Sequence, residues 1–290
     1  MTFNEYNEYI SNDVNKKYFI ELWNIFNKVN SENWNKSIGV LEENIKEIRR
    51  CLNTIKRTVV EYDNPYINYS LRSLEANLNG LFKSSRNEEK LKKVIISYEN
   101  LKIASLLYKK LIEFEGLSEE EKNKKELLFA VAGTNYKDKI KSCKEIEKIV
   151  LFSINSSIVV IAIYACDITH FKYFLDKYVF DYVHFAGHGT TTELVFDGHR
   201  IKSSTIENYF GSTNCFPKLF FINACFSYDL YNSFSKQISE LYIVHSGKLD
   251  DKIATKYSKY YYEHFFMNKN IVNAYNYAQR KSCHNYYLVP

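Results

Sequence analysis

No two of the six cysteines, at positions 51, 143, 166, 215, 225 and 283, form a CxxC pair. In a chain of 290 residues such wide spacing fits reduced thiols in a cytosol, and it excludes a disulfide framework or a zinc ribbon. Long apolar runs are missing too. The longest, Ile158 to Ala165, is far too short to cross a bilayer, so no membrane segment is expected. The opening Met1-Thr-Phe-Asn-Glu-Tyr has neither a basic flank nor an apolar run, so no export signal is expected and the compartment is read as cytoplasmic. The formal net charge is only +5, and the lysines are scattered among glutamates. That pattern is a solvated face, and nucleic acid is not an expected partner. No repeat of fixed period suggests a solenoid. Proline (3) and glycine (9) are scarce, while Asn, Lys, Ile and Tyr abound; this bias is the kind an AT-rich genome imposes and carries no functional meaning.

What is present divides into two parts, and the chain is long enough for two domains. Residues 1–124 read as helix throughout. Val40, Leu41, Ile45, Ile48, Leu52 and Ile55 form one apolar stripe; Leu71, Leu74, Leu78 and Leu81 form another after the break at Asp63-Asn-Pro65. A last long helix is expected from Glu88 to Phe114. Short connections between such helices imply a bundle, and no chemistry-bearing motif falls within it. The reading is a helical regulatory or interaction domain, with a regulatory protein as its expected partner. The charged stretch Gly116 to Lys125 contains no aromatic residue and marks the boundary.

From residue 125 the period changes. Apolar runs at Leu127–Gly133, Val159–Ala165, Tyr182–Ala186, Leu219–Ala224 and Leu241–His245 alternate with amphipathic stretches at Lys137–Leu151, Phe171–Tyr178, Asp250–Phe266 and Ile271–Ser282. Strands that are apolar on both faces belong to a mostly parallel sheet flanked by helices, the α/β class. Asp197-Gly198 signals a hairpin within the connection between the third and fourth runs. Ligands of such sheets bind beyond the carboxyl ends of the strands.

Two residues stand just beyond those ends. The run Asp181-Tyr-Val-His-Phe-Ala-Gly-His-Gly189 stops at His188 between two glycines, and Lys218-Leu-Phe-Phe-Ile-Asn-Ala-Cys-Phe-Ser227 stops at Cys225. A thiol attacks a carbonyl only as thiolate, and a free cysteine, with a pKa of about 8.5, is mostly protonated at neutrality. A histidine near its reference pKa of about 6.5 takes that proton and returns it to the leaving group. Backbone N–H groups of Gly189 and Cys225 would serve the developing oxyanion. His184, four residues before His188, invites a metal reading. Positions four apart on a strand lie about 13 Å apart, too far for one ion, so no metal or other cofactor is expected and His184 is read as a buried, hydrogen-bonded support. Cys166 is read as core packing and His199 as solvent-facing, while Cys283-His284 receives no role. Tyr257, Tyr260, Tyr261 and Phe265 are spaced for core packing.

Three motifs in order carry a resemblance. Val183-His-Phe-Ala-Gly-His-Gly189 resembles the histidine motif of the CHAT domain, the caspase-like family that includes separase relatives, and Phe221-Ile-Asn-Ala-Cys-Phe-Ser227 resembles its cysteine motif. Asp251-Lys-Ile-Ala254, followed by the helix to Tyr261, is similar to its third motif, and the closing helix Asn270 to Ala278 completes the likeness over roughly 125–283. The resemblance implies a caspase-like sheet in 125–290 and cysteine endopeptidase activity on a protein substrate, with His188 as base, Cys225 as nucleophile and Gly189 in the oxyanion hole. It also implies substrate contacts at Asn223 and at Asp250 or Asp251, an acidic residue there facing a basic P1 side chain. Position 223 is Asn where several related proteases carry Asp. A conditional role in antiphage defence or programmed cell death is implied as well. The alternative is a catalytically silent CHAT fold kept as a binding or assembly module.

Overall fold

The computed structural model describes residues 113–290, except 115, 134–141, 164, 165, 167, 197, 198, 214, 283 and 284, together with the single residue 76. The helical bundle expected over 1–124 lies almost wholly outside the described residues, as do Cys51 and the Cys283-His284 pair. The described part is the compact unit Glu113–Pro290. It takes in the charged stretch read as a boundary. There Glu119–Lys122 forms a short helix, α1, opened by a capping box in which Ser118 and Glu121 satisfy each other's backbone N–H groups. Ahead of it, Phe114 is buried and its ring meets Tyr178 at 6.4 Å.

The unit is an α/β fold. A six-stranded sheet runs in the order β2 (Val159–Ile163), β1 (Leu127–Ala132), β3 (Tyr182–Ala186), β6 (Leu219–Asn223), β7 (Leu241–His245), β8 (Tyr286–Val289). All neighbours are parallel except β7 and β8. The apolar runs of the sequence are these strands, and β1, β3 and β6 are buried at every residue. Strand β8 is an addition that the sequence reading did not anticipate. The hairpin expected around Asp197-Gly198 is present as β4 (Glu193–Phe196) paired with β5 (His199–Lys202), although the two turn residues lie outside the described set. His199 is exposed, as expected.

Seven helices are described, α1 among them. The chain leaves β1 for α2 (Ser142–Ser153), β2 for α3 (Ile168–Lys177), β5 for α4 (Ser203–Gly211), β6 for α5 (Ser227–Asn232), and β7 for α6 (Asp251–Asn268) and α7 (Ile271–Ser282). Strand β2 lies on one side of β1 and the later strands on the other, so the sheet is doubly wound. Side chains alternate between its two faces. Phe129 meets Phe171 of α3 at 5.5 Å and Phe171 meets Phe210 of α4 at 6.2 Å on one face. On the other, Phe221 meets Tyr261 and Tyr262 of α6 at 5.5 and 6.3 Å. Tyr257, Tyr261 and Phe265 are fully buried, as their spacing predicts, and Tyr262 joins them. Tyr260 instead lies half-exposed against Tyr277 of α7. Each such ring withdrawn from water stabilises the fold by about 1.5–3 kcal/mol.

Candidate active site

Parallel pairing brings the two site residues together. Ala132, Ala186 and Asn223 lie in one register row at the carboxyl ends of β1, β3 and β6. Each site residue stands two positions beyond its member of that row, 188 against 186 and 225 against 223. The ladder continues one step past the strands, the Gly187 N–H donating to the Asn223 carbonyl at 3.3 Å. His188 and Cys225 therefore occupy equivalent places on neighbouring strands, and both line one pocket with Ser142, Glu145, Gly187, Asn223, Leu249, Asp251, Ala254 and Thr255. His188 is exposed at this pocket and Cys225 half-buried.

The turn after β6 is built around the thiol. Phe226 adopts a left-handed conformation, φ 54° and ψ 24°, immediately before α5. That conformation costs a non-glycine residue about 1 kcal/mol. The Phe226 N–H is held by the Gly247 carbonyl at 2.7 Å, and Gly247 is itself left-handed at φ 73°. From the same β7–α6 loop the Leu249 N–H donates to Sγ of Cys225 at 3.3 Å, and Sγ reaches the Leu249 carbonyl at 3.8 Å. Among the described residues no hydrogen bond joins Cys225 to His188. The other described thiols differ: Cys166 is fully buried, and burial pushes the Cys215 thiol up to about 11, Asp181 adding to the rise and the Phe180 carbonyl opposing it.

Gly189 is glycine for a steric reason. It forms a bridge with Leu194, flanked by bonds from the Thr190 N–H to the Glu193 carbonyl and from the Val195 N–H to the His188 carbonyl. This makes 189 and 194 a non-hydrogen-bonded pair, which turns the Gly189 N–H away from Leu194. A β-carbon at 189 would lie 2.7 Å from the Cys225 carbonyl oxygen and 2.9 Å from Cβ of Ala224. Only a residue without a side chain lets the two site turns approach this closely.

The three residues proposed for substrate contact fare differently. Asp251 is the first residue of α6 and lines the pocket, half-buried and without a cationic partner among the described residues. Asp250 is the N-cap of that helix. Its carboxylate accepts from the Lys252 and Ile253 N–H groups at 2.8 and 3.3 Å, and of the two aspartates Asp251 is the one that lines the pocket. Asn223 lines the pocket wall but is 2 % exposed, and its carboxamide is engaged inward. Its Nδ2 donates to Glu145 Oε1 at 2.6 Å, to Ser258 Oγ at 2.9 Å and to the Ala254 carbonyl at 3.3 Å, while Tyr286 Oη donates to its Oδ1. Asn223 is therefore a buried joint whose carboxamide is committed to these bonds at the pocket wall. His184 is fully buried with Nε2 on Glu145 Oε1 at 2.8 Å, the supporting place expected for it.

The sequence reading missed Glu145, Ser142, Leu249 and Ser258. Glu145 had one legible signal, a carboxylate on the inward stripe of α2 between Ser142 and Ile149. Among the described residues no group of three or more His, Cys, Asp or Glu side chains stands close enough to hold a metal, and no helix is long and apolar enough to cross a membrane. No family model and no curated protein matches the chain.

Proposed function

We propose that the chain is a caspase-like cysteine endopeptidase of the CHAT type. Cys225 is the nucleophile, His188 its general base, and the Gly189 and Cys225 N–H groups receive the oxyanion. What carries the reading is one observation: His188, Cys225 and Asp251, from three separate elements, line one pocket at the carboxyl edge of a parallel sheet. The peptide chemistry follows from the residue types. His188 removes the thiol proton, the thiolate adds to the scissile carbonyl, and the imidazolium returns the proton to the leaving amine. Water then hydrolyses the thioester with His188 again as base. The absence of a hydrogen bond between base and thiol suits a resting site, since catalytic contacts tighten when substrate arrives. Asp251, a carboxylate without a cationic partner among the described residues, suits a P1 lysine or arginine. A conditional role in antiphage defence or cell death, with the region 1–124, whose sequence pattern is helical, as the restraint, completes the proposal.

Fluorogenic peptides differing only at P1, assayed with wild type and Cys225→Ala, test it. Cleavage confined to wild type and highest for Lys or Arg is the expected result. Turnover at the wild-type rate in Cys225→Ala would overturn the assignment, and equal rates for all P1 residues would remove the Asp251 role. A second reading, a silent binding module, draws on the same thiol bonds, because Sγ rests on Leu249 and not on His188. Labelling of Cys225 by an electrophilic peptide, abolished by His188→Ala, excludes that module; equal labelling in both proteins supports it.

A further inference from the structure

One oxygen joins the elements that carry the site. Oε1 of Glu145 receives His184 Nε2 at 2.8 Å, Asn223 Nδ2 at 2.6 Å and Ser258 Oγ at 2.5 Å. His184 belongs to β3, which ends toward His188. Asn223 closes β6, two positions before Cys225, and Ser258 lies two turns into α6, the helix that begins at Asp251. All four side chains are at most 3 % exposed. The joint extends further through Tyr286, which donates to Asn223 Oδ1 and stacks on Tyr257 with centroids 3.8 Å apart.

A carboxylate buried this deeply is a poor way to gain stability, since an apolar side chain would fill the space without losing hydration. What it supplies is geometry. Hydrogen bonds to a charged acceptor are shorter and stronger than neutral ones, and three of them on one atom fix three elements relative to a single point. We propose that Glu145 is a positioning residue for the Cys225–His188 pair, holding β3, β6 and α6 in the one arrangement that presents the thiol, the base and Asp251 to a common pocket. This rests on Cys225 being the nucleophile. Glutamine at 145 keeps the shape and one acceptor oxygen but removes the charge, so the three charge-assisted struts on Oε1 weaken to neutral hydrogen bonds.

The test is site-resolved alkylation of Cys225 by iodoacetamide across about pH 5–10, in the full chain, with melting temperature and peptide cleavage measured beside it. His188→Ala is expected to move the alkylation midpoint above that of wild type. Glu145→Gln is expected to shift the midpoint toward that of His188→Ala and to lower kcat about 100-fold, the effect of a misplacement of about 1 Å, with KM within about 2-fold. Ser258→Ala, which removes one strut and leaves the carboxylate, is expected to move both readouts in the same direction by less, and it decides the matter if Glu145→Gln does not fold. Variants that melt lower but keep the wild-type midpoint and kcat would make Glu145 merely structural and overturn the proposal. If wild-type Cys225 titrates as a free thiol and His188→Ala changes nothing, the nucleophile itself is wrong and the positioning role falls with it.

Discussion

The two edges of the sheet treat charge in opposite ways. Where β1, β3 and β6 begin, acids and bases from separate elements neutralise one another. Glu126 accepts from Tyr182 at 2.7 Å, from Lys269 at 2.8 Å and from Lys218 at 3.3 Å; Lys218 also meets Asp181 at 2.9 Å, and Asp181 receives the Leu127 N–H at 3.0 Å. Where the strands end, Glu145 is held by an imidazole, an amide and a hydroxyl, and Asp251 has no cationic partner among the described residues. Helix α6 spans both edges, with Asp251 at one end and Lys269 as C-cap at the other. Paired charges pin the starts of strands. At the strand ends the Asp251 carboxylate shares a pocket with Cys225 and His188 and meets no cation among the described residues.

Substitutions should therefore separate the edges. The largest effect is expected from Cys225→Ala, with cleavage falling at least about 10³-fold because the pathway through a covalent intermediate is gone, and melting unchanged within about 4 °C. Gly189→Ala comes next. Its β-carbon would meet the Cys225 carbonyl oxygen at 2.7 Å, so the two site turns must part, and kcat/KM is expected to fall about 100-fold. If Gly189→Ala cleaves at the wild-type rate, the closeness of the two turns has no bearing on the chemistry.

Much of this arrangement can be read from residue order alone. Continuous apolar runs announce a parallel sheet, and parallel strands with successive crossovers put residues just past their ends at one edge; His188 and Cys225 follow from that rule. The tertiary partners do not follow from it. Glu145 sits in an ordinary amphipathic helix, and only packing across 39 and 78 residues of sequence separation brings it to His184 and Asn223. Asn223 looks like a pocket residue by its place two positions before Cys225, yet strand alternation turns its side chain into the same face as His184, where Glu145 and Ser258 take it up. The choice between Asp250 and Asp251 depends on which of them caps the helix, a matter of one residue that periodicity does not resolve. Strand β8 is too short, at four residues, to stand out from the sequence before it.

The smaller effects test each edge for what it should not do. Asp251→Asn is expected to lower kcat/KM for Lys and Arg peptides about 10-fold, or roughly 1.4 kcal/mol, and to leave neutral P1 peptides within about 2-fold. Loss across all peptides alike would instead show that Asp251 supports the loop and reads no charge.

Smallest is Glu126→Gln at the opposite edge. Burial pushes the Glu126 carboxyl up, but hydrogen bonds from Lys269, Tyr182 and Lys218 outweigh it and hold the group below its ordinary value of about 4.5. A carboxyl depressed on folding adds stability above its unfolded pKa, and that stability is lost as the pH falls through the folded value. The pairs are partly exposed, so the contribution is about 0.5–1 kcal/mol, or about 1–4 °C in melting temperature at neutral pH. Glu126→Gln should thus melt earlier than wild type at neutral pH, and the gap should close in acid as wild-type Glu126 takes up its proton. Alkylation of Cys225 and peptide cleavage should stay at wild-type values throughout. A change in either would mean that the charge pairs at the strand starts are felt, through β3, β6 or α6, at the strand ends, and the separation of the two edges would fail.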